Sequence, residues 1–172
     1  MSTRKTTLLL FILLALPFGN GCGLFKKTTE IEPKTTDSYS KAYTPQVIHK
    51  VVQSARLFIG TPYLYGGTTS RGIDCSGLIT LAFNSAGLKL PRASYDIATI
   101  GKEVKVKDVR KGDLLFFVTG TEKNKISHVG IVVDHKSPTI LTFVHAPNSG
   151  VREDNLFTPY YQKTFAKAMR PF

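Results

Sequence analysis

The apolar residues of this chain change their period part-way along it, and that change limits the folds open to it. From Thr44 onward, Val47, Ile48, Val51, Val52, Ala55, Phe58 and Ile59 recur at three- and four-residue spacing. That spacing is one face of a helix. Thr44-Pro45 supplies its start, a hydroxyl N-cap followed by proline, and Gly60 with Pro62 ends it. After a Gly-rich loop over 66–72, a second helix is predicted from Asp74, with Leu78, Ile79, Ala82 and Phe83 on its face and Gly87 as its stop. A shorter helix is predicted from Ser94 to Ile100. Beyond it the runs shorten and become β-branched or aromatic. Leu114–Val118, His128–Asp134, Leu141–Ala146 and a last segment at Phe165–Arg170 read as strands. Helices first and strands second, joined by short connections, predict an α+β fold with the N-terminal helices packed on a small antiparallel sheet. The 172 residues suit one domain, and two cysteines exclude a disulfide-stapled scaffold or a Cys-rich zinc domain.

The N-terminal segment has a different character. Arg4 and Lys5 precede an apolar run from Leu8 to Phe18, too short to span a bilayer as a mature helix. Cations followed by a short apolar run predict a secretory signal peptide over residues 1–21. Gly19-Asn20-Gly21-Cys22 resembles the lipobox of bacterial lipoproteins, although Gly19 stands where leucine is usual. The resemblance makes Cys22 the lipid attachment site and the membrane a partner through that anchor. Gly23 replaces the Asp that retains some lipoproteins at the inner membrane, which places the protein at the outer membrane facing the periplasm. Residues 22–43, rich in Thr, Ser and Lys, read as a tether with a reach of roughly 25 Å, and 44–172 as the folded domain. With residues 1–21 removed, 21 cations face 12 acids. No nucleic-acid motif accompanies this charge, so nucleic acid is not an expected partner. The charge is instead assigned to attraction toward an anionic wall or membrane surface.

Acylation of Cys22 leaves Cys75 as a free thiol in an exported chain. Cys75 lies in Gly72-Ile73-Asp74-Cys75-Ser76-Gly77, at the predicted start of the second helix. Unpaired N–H groups and the positive end of the helix dipole favour a thiolate there, so its pKa is expected to be lowered. The same N–H groups can hold an oxyanion. A thiol nucleophile needs a base, and the base needs an orienting partner. His128 stands at a strand start, with Gly130 and Val132 on its face. His145, on the next strand, lies within reach of it. His49, in a helix, and His135, in a turn, read as ordinary polar residues. Zinc binding by Cys75, His128 and His145 is the rival reading, but their spacing is unlike that of a structural zinc site.

Taken in order, these segments resemble the NlpC/P60 family of papain-like cysteine peptidases. The resemblance rests on Gly60-Thr61-Pro62-Tyr63-Leu64-Tyr65-Gly66-Gly67, Gly72-Ile73-Asp74-Cys75-Ser76-Gly77-Leu78, Leu90-Pro91-Arg92, Lys111-Gly112-Asp113-Leu114, Ser127-His128-Val129-Gly130-Ile131 and Phe143-Val144-His145-Ala146. The layout is similar to that of its single-domain Spr-type murein endopeptidase lipoproteins. The resemblance implies Cys75 as nucleophile, His128 as general base and His145 as its orienter. It implies an oxyanion- or substrate-binding role for Tyr63, and a place in the substrate groove for Asp74, Ser76 and Arg92. The implied substrate is the stem peptide of peptidoglycan, cut between D-Glu and a diamino acid or between D-Ala and a diamino acid. No cofactor or metal is implied, and a monomer is expected. A catalytically silent wall-binding lipoprotein and an amidase or acyltransferase on the same scaffold are the alternatives. Lipid-modifying acyltransferase relatives place His before Cys, the reverse of the order here.

Overall fold

Thr44 and Pro45 start a helix as expected. In a computed structural model that describes residues 43–172, α1 spans Pro45–Arg56. The Thr44 hydroxyl caps it, accepting from the Val47 N–H at 3.3 Å. The signal segment, the lipobox with Cys22 and nearly all of the tether lie outside the described residues. Tyr43, read above with the tether, belongs to the domain. It is buried, stacks on Phe83, and donates its hydroxyl proton to the Gly112 carbonyl at 2.6 Å.

The Gly-rich segment is more ordered than a loop. Its residues form a small antiparallel hairpin of β1 (Thr68–Thr69) and β2 (Gly72–Ile73). Glycine is required here by close approach, because a β-carbon at Gly72 would lie 2.6 Å from Leu64 Cβ. The hairpin leads directly into α2 (Cys75–Asn84), whose face of Leu78, Ile79, Ala82 and Phe83 is fully buried. α3 (Ser94–Ile97) is one turn long, shorter than its sequence pattern suggests.

The second half builds one sheet from β3 (Lys102–Val104), β4 (Leu114–Phe117), β5 (His128–Ser137), β6 (Ile140–His145), β7 (Arg152–Asn155) and β8 (Phe165–Arg170). The spatial order is β3-β8-β4-β5-β6-β7, antiparallel throughout. A short helix, α4 (Pro159–Thr164), precedes β8. Successive residues of β4 divide between two cores. Leu114 and Phe116 join Val51, Val52, Leu78 and Phe83 on the side of α1 and α2. Leu115 and Phe117 join Val132, Leu141, Phe143 and Tyr161 on the other. Both faces of the central strands are therefore covered, which explains why β4 reads as an unbroken apolar run rather than an alternation. β5 extends to Ser137, so His135 lies in a strand and not in a turn, its Nδ1 2.8 Å from the Val109 carbonyl. Among the described residues no helix is long and apolar enough to cross a membrane.

Candidate active site

Cys75 is the first residue of α2, and Asp74 immediately before it is the N-cap. One Asp74 oxygen accepts from the Gly77 N–H at 2.7 Å and the other from the Gly66 N–H at 2.8 Å. Arg92 holds both: Nη1 donates to Oδ1 at 2.9 Å and Nη2 to Oδ2 at 2.6 Å. Nη1 also reaches Ser76 Oγ at 2.7 Å. Burial alone would raise the Asp74 pKa, but the hydrogen bonds from Arg92, Gly77 and Gly66 and the Arg92 charge hold it below the usual carboxylate range. Gly77 is fixed by contact, since a β-carbon there would run into the Gly67 carbonyl and come within 3.0 Å of Asp74 Oδ1.

The Cys75 sulfur is almost wholly enclosed, and its long hydrogen bond, at 4.0 Å, goes to the Ser127 carbonyl. Burial pushes the thiol pKa up, and the Asp74 charge pushes the same way. Hydrogen bonds from the Val129, Ser76 and Cys75 N–H groups pull it down without cancelling the rise. The lowered pKa expected at a helix start is thus corrected. The N–H groups are in place, but the depth of the sulfur outweighs them.

His128 and His145 meet as their strands predict. In the β5–β6 register Gly130 faces His145, and His128 lies two residues along the same face. His128 Nε2 is 2.7 Å from His145 Nδ1, and the rings stand nearly perpendicular. Burial, reinforced by the His145 charge, pushes the His128 pKa down to about 3. Sequence reasoning missed what lies beyond His145. Its Nε2 is 2.8 Å from Asp154 Oδ2, an oxygen that also accepts from Arg152 Nε at 2.7 Å and from the Tyr161 hydroxyl at 2.7 Å. Asp154 comes from β7 and Tyr161 from α4, two elements the periodicity did not show. With both ring nitrogens of His145 engaged, neither is free to bind zinc. Among the described residues no group of three or more His, Cys, Asp and Glu side chains is arranged to hold a metal ion.

Two cavities share Cys75 in their lining. One, of about 700 Å³, is lined by Cys75, His128, His145, Asp154 and Tyr161. The other, of about 560 Å³, is lined by Cys75, Asp74, Ser76, Arg92 and Tyr95. Tyr63 and Ser127 line both. The structure thus brings Cys75, His128 and His145 to one cavity, sets Asp74, Ser76 and Arg92 in the other, and places Tyr63 between them. Burial raises the Tyr63 pKa, and proximity to Cys75 adds to the rise. Cys22 lies outside the described residues. The arrangement lines one cavity with a thiol and two hydrogen-bonded imidazoles and sets the thiol at a helix start, groups of the kind that nucleophilic acyl chemistry uses.

The NlpC/P60 family model matches residues 60–170. The chain belongs to the NlpC/P60 family. A probable endopeptidase of Haemophilus influenzae is 36% identical over 142 residues, covering 78% of this chain and 84% of that protein. The murein DD-endopeptidase MepS/murein LD-carboxypeptidase of Escherichia coli is 38% identical over 113 residues, 64% of this chain. The chain spans 56% of that relative's length. Among solved structures, an NlpC/P60 family protein from Bacillus cereus superposes with a TM-score of 0.64 at 29% identity, covering 72% of this chain and 40% of that one. The α+β architecture is therefore the NlpC/P60 fold, with α1 and α2 packed on one face of an antiparallel sheet.

Proposed function

We propose that this chain is a cell-envelope cysteine endopeptidase that hydrolyses amide bonds in peptidoglycan stem peptides or cross-links, at a D-Glu–diamino acid or D-Ala–diamino acid bond. The observation that carries this reading is the meeting of the Cys75 thiol, the His128 imidazole and His145 in one cavity at the start of α2. His128 takes the thiol proton as Cys75 Sγ attacks the amide carbonyl carbon. The helix-start N–H groups and Tyr63 hold the oxyanion. His128 then gives its proton to the leaving amine, and a thioester remains on Cys75. Water, deprotonated by His128, cleaves that thioester, releasing the carboxylic product and restoring the thiol. The murein activity named for the Escherichia coli relative supports peptidoglycan as the substrate.

The remaining expectations belong to the same proposal. Residues 1–21 are the removed signal, Cys22 carries the lipid, and the monomeric domain from 43 to 172 works from the outer membrane toward the wall. Asp74, Ser76 and Arg92 line the groove that receives the substrate. Digestion of purified muropeptides under reducing conditions, followed by mass spectrometry, tests the function. Cleavage of a stem-peptide bond by the wild type, and its loss in a folded Cys75→Ala variant, is the expected result. An intact muropeptide pool after wild-type digestion overturns it.

A further inference from the structure

The hydrogen bonds beyond His145 fix more than the orientation of a ring. Asp154 Oδ2 receives three donors, and the hydrogen bonds from Tyr161, His145 and Arg152 hold the Asp154 carboxyl below its ordinary pKa against the effect of burial. Asp154 is therefore a carboxylate, able only to accept. His145 Nε2, 2.8 Å from it, must carry a proton. The Tyr161 hydroxyl, 3.2 Å from the same nitrogen, has its own proton committed to Asp154 and cannot supply another. Burial lowers the His145 pKa despite the opposing pull of Asp154, so the ring is neutral and its Nδ1 is bare. A bare Nδ1 at 2.7 Å requires a proton on His128 Nε2. The buried, neutral His128 is then left with its lone pair on Nδ1.

We infer that Asp154 is a positioning residue that dictates the tautomer of both histidines, and thereby makes His128 Nδ1 the atom that takes the Cys75 proton. The inference rests on the proposed roles of Cys75 and His128, but the proton positions are a property of the resting protein and need no substrate. Without Asp154, His145 is free to carry its proton on Nδ1 and donate toward His128 Nε2. His128 then holds its own proton on Nδ1 and presents a donor where the proposed reaction needs a base. Asp154 also sits where positive charge grows when His128 is protonated, two hydrogen bonds from that ring. Arg152 and Tyr161 in turn hold Asp154 in place.

The experiment is two-bond and three-bond nitrogen–proton NMR of the imidazole rings in the full folded domain, wild type and variants, at neutral pH. The wild type is expected to show both His128 and His145 protonated at Nε2 and bare at Nδ1. Asp154→Ala is expected to mix the tautomers and lower kcat on muropeptides roughly 10- to 100-fold with little change in KM. Asp154→Asn, which keeps an acceptor oxygen but no charge, should hold the wild-type tautomers and recover part of the rate. A wild-type His128 protonated at Nδ1 overturns the inference, and so does an Asp154→Ala variant with unchanged tautomers and unchanged kcat. Should Asp154→Ala fail to fold, the wild-type spectrum alone decides. A wild type that cuts no muropeptide defeats the proposed function and leaves this measurement standing.

Discussion

Gly130 of β5 is the register partner of His145 of β6, and the imidazole pair depends on the side chain that Gly130 lacks. A β-carbon at 130 would come to 2.5 Å from Phe143 Cδ2 and 3.1 Å from His145 Cβ. Phe143 is itself fully buried and packs against the His145 ring with centroids 4.7 Å apart, so it has nowhere to retreat. Gly130→Ala is expected to cost about 1–3 kcal/mol of stability by overpacking. It should also reduce turnover disproportionately, by moving His145 off His128. Urea unfolding and muropeptide turnover of the same preparation check both effects; full activity with full stability would contradict the packing.

The Asp74 carboxylate serves the helix and the groove at once, and two substitutions separate those duties. Asp74→Ala removes the N-cap of α2 and strands Arg92, with an expected loss of about 1–2 kcal/mol in chemical denaturation. Arg92→Lys keeps the charge but loses the two-pronged grip. The Arg92 side chain is 44% exposed, so solvent screens the pair. The stability loss is expected to stay under about 1 kcal/mol while kcat/KM falls about tenfold. Equal stability losses for the two variants would argue that the cap contributes nothing of its own.

What could be read from the sequence followed how strongly each element announces itself. Thr44-Pro45 and Asp74-Cys75 sit directly before apolar residues at helical spacing, so cap and helix reinforced one another and both helices were legible. The His128–His145 contact was legible because Gly130 and the strand alternation put both rings on one face. Asp154 was not, because β7 reads Arg-Glu-Asp-Asn and an edge strand without apolar residues leaves no period to find. β3 (Lys102–Val104), largely exposed at the other edge, was silent for the same reason. Thr158-Pro159 repeats the signal that opens α1 and could have revealed α4, and with it Tyr161. The sign of the Cys75 shift lay beyond any local pattern. Position at a helix start is a property of neighbours in sequence, whereas the burial that reverses the shift is a property of the folded domain.

That burial sets the resting state of the nucleophile. With the thiol pKa raised above its ordinary 9.0 and His128 lowered to about 3, the pair rests as thiol and neutral imidazole rather than as an ion pair. The ultraviolet absorbance of a thiolate is therefore expected to be missing at neutral pH and to appear only in alkaline solution. Alkylation of Cys75 by a small haloacetamide should rise over the same range. Thiolate absorbance already present at neutral pH, and lost in Cys75→Ser, would show that the His128 charge compensates for the burial.

Acid should weaken the domain before Asp74 or Asp154 is protonated. His128 titrates near 6.5 when unfolded and near 3 when folded, because burial and the neighbouring His145 disfavour its cation. Between those values the unfolded chain binds more protons than the folded one, so stability is fully present above about pH 6.5 and is lost as pH falls toward the folded value. His145 shifts in the same direction, with Asp154 opposing it. Asp74 and Asp154 are both held below 3.8, so their contributions are lost only in stronger acid. Above about pH 4 the imidazoles thus act ahead of Asp74 and Asp154. The urea midpoint of the wild type is expected to fall steadily from about pH 7 to about pH 4.5, and that of His128→Gln to fall far less. A wild-type midpoint that stays level across this window would mean that His128 takes its proton without leaving the fold, and that the interior around it is wetter than its burial indicates.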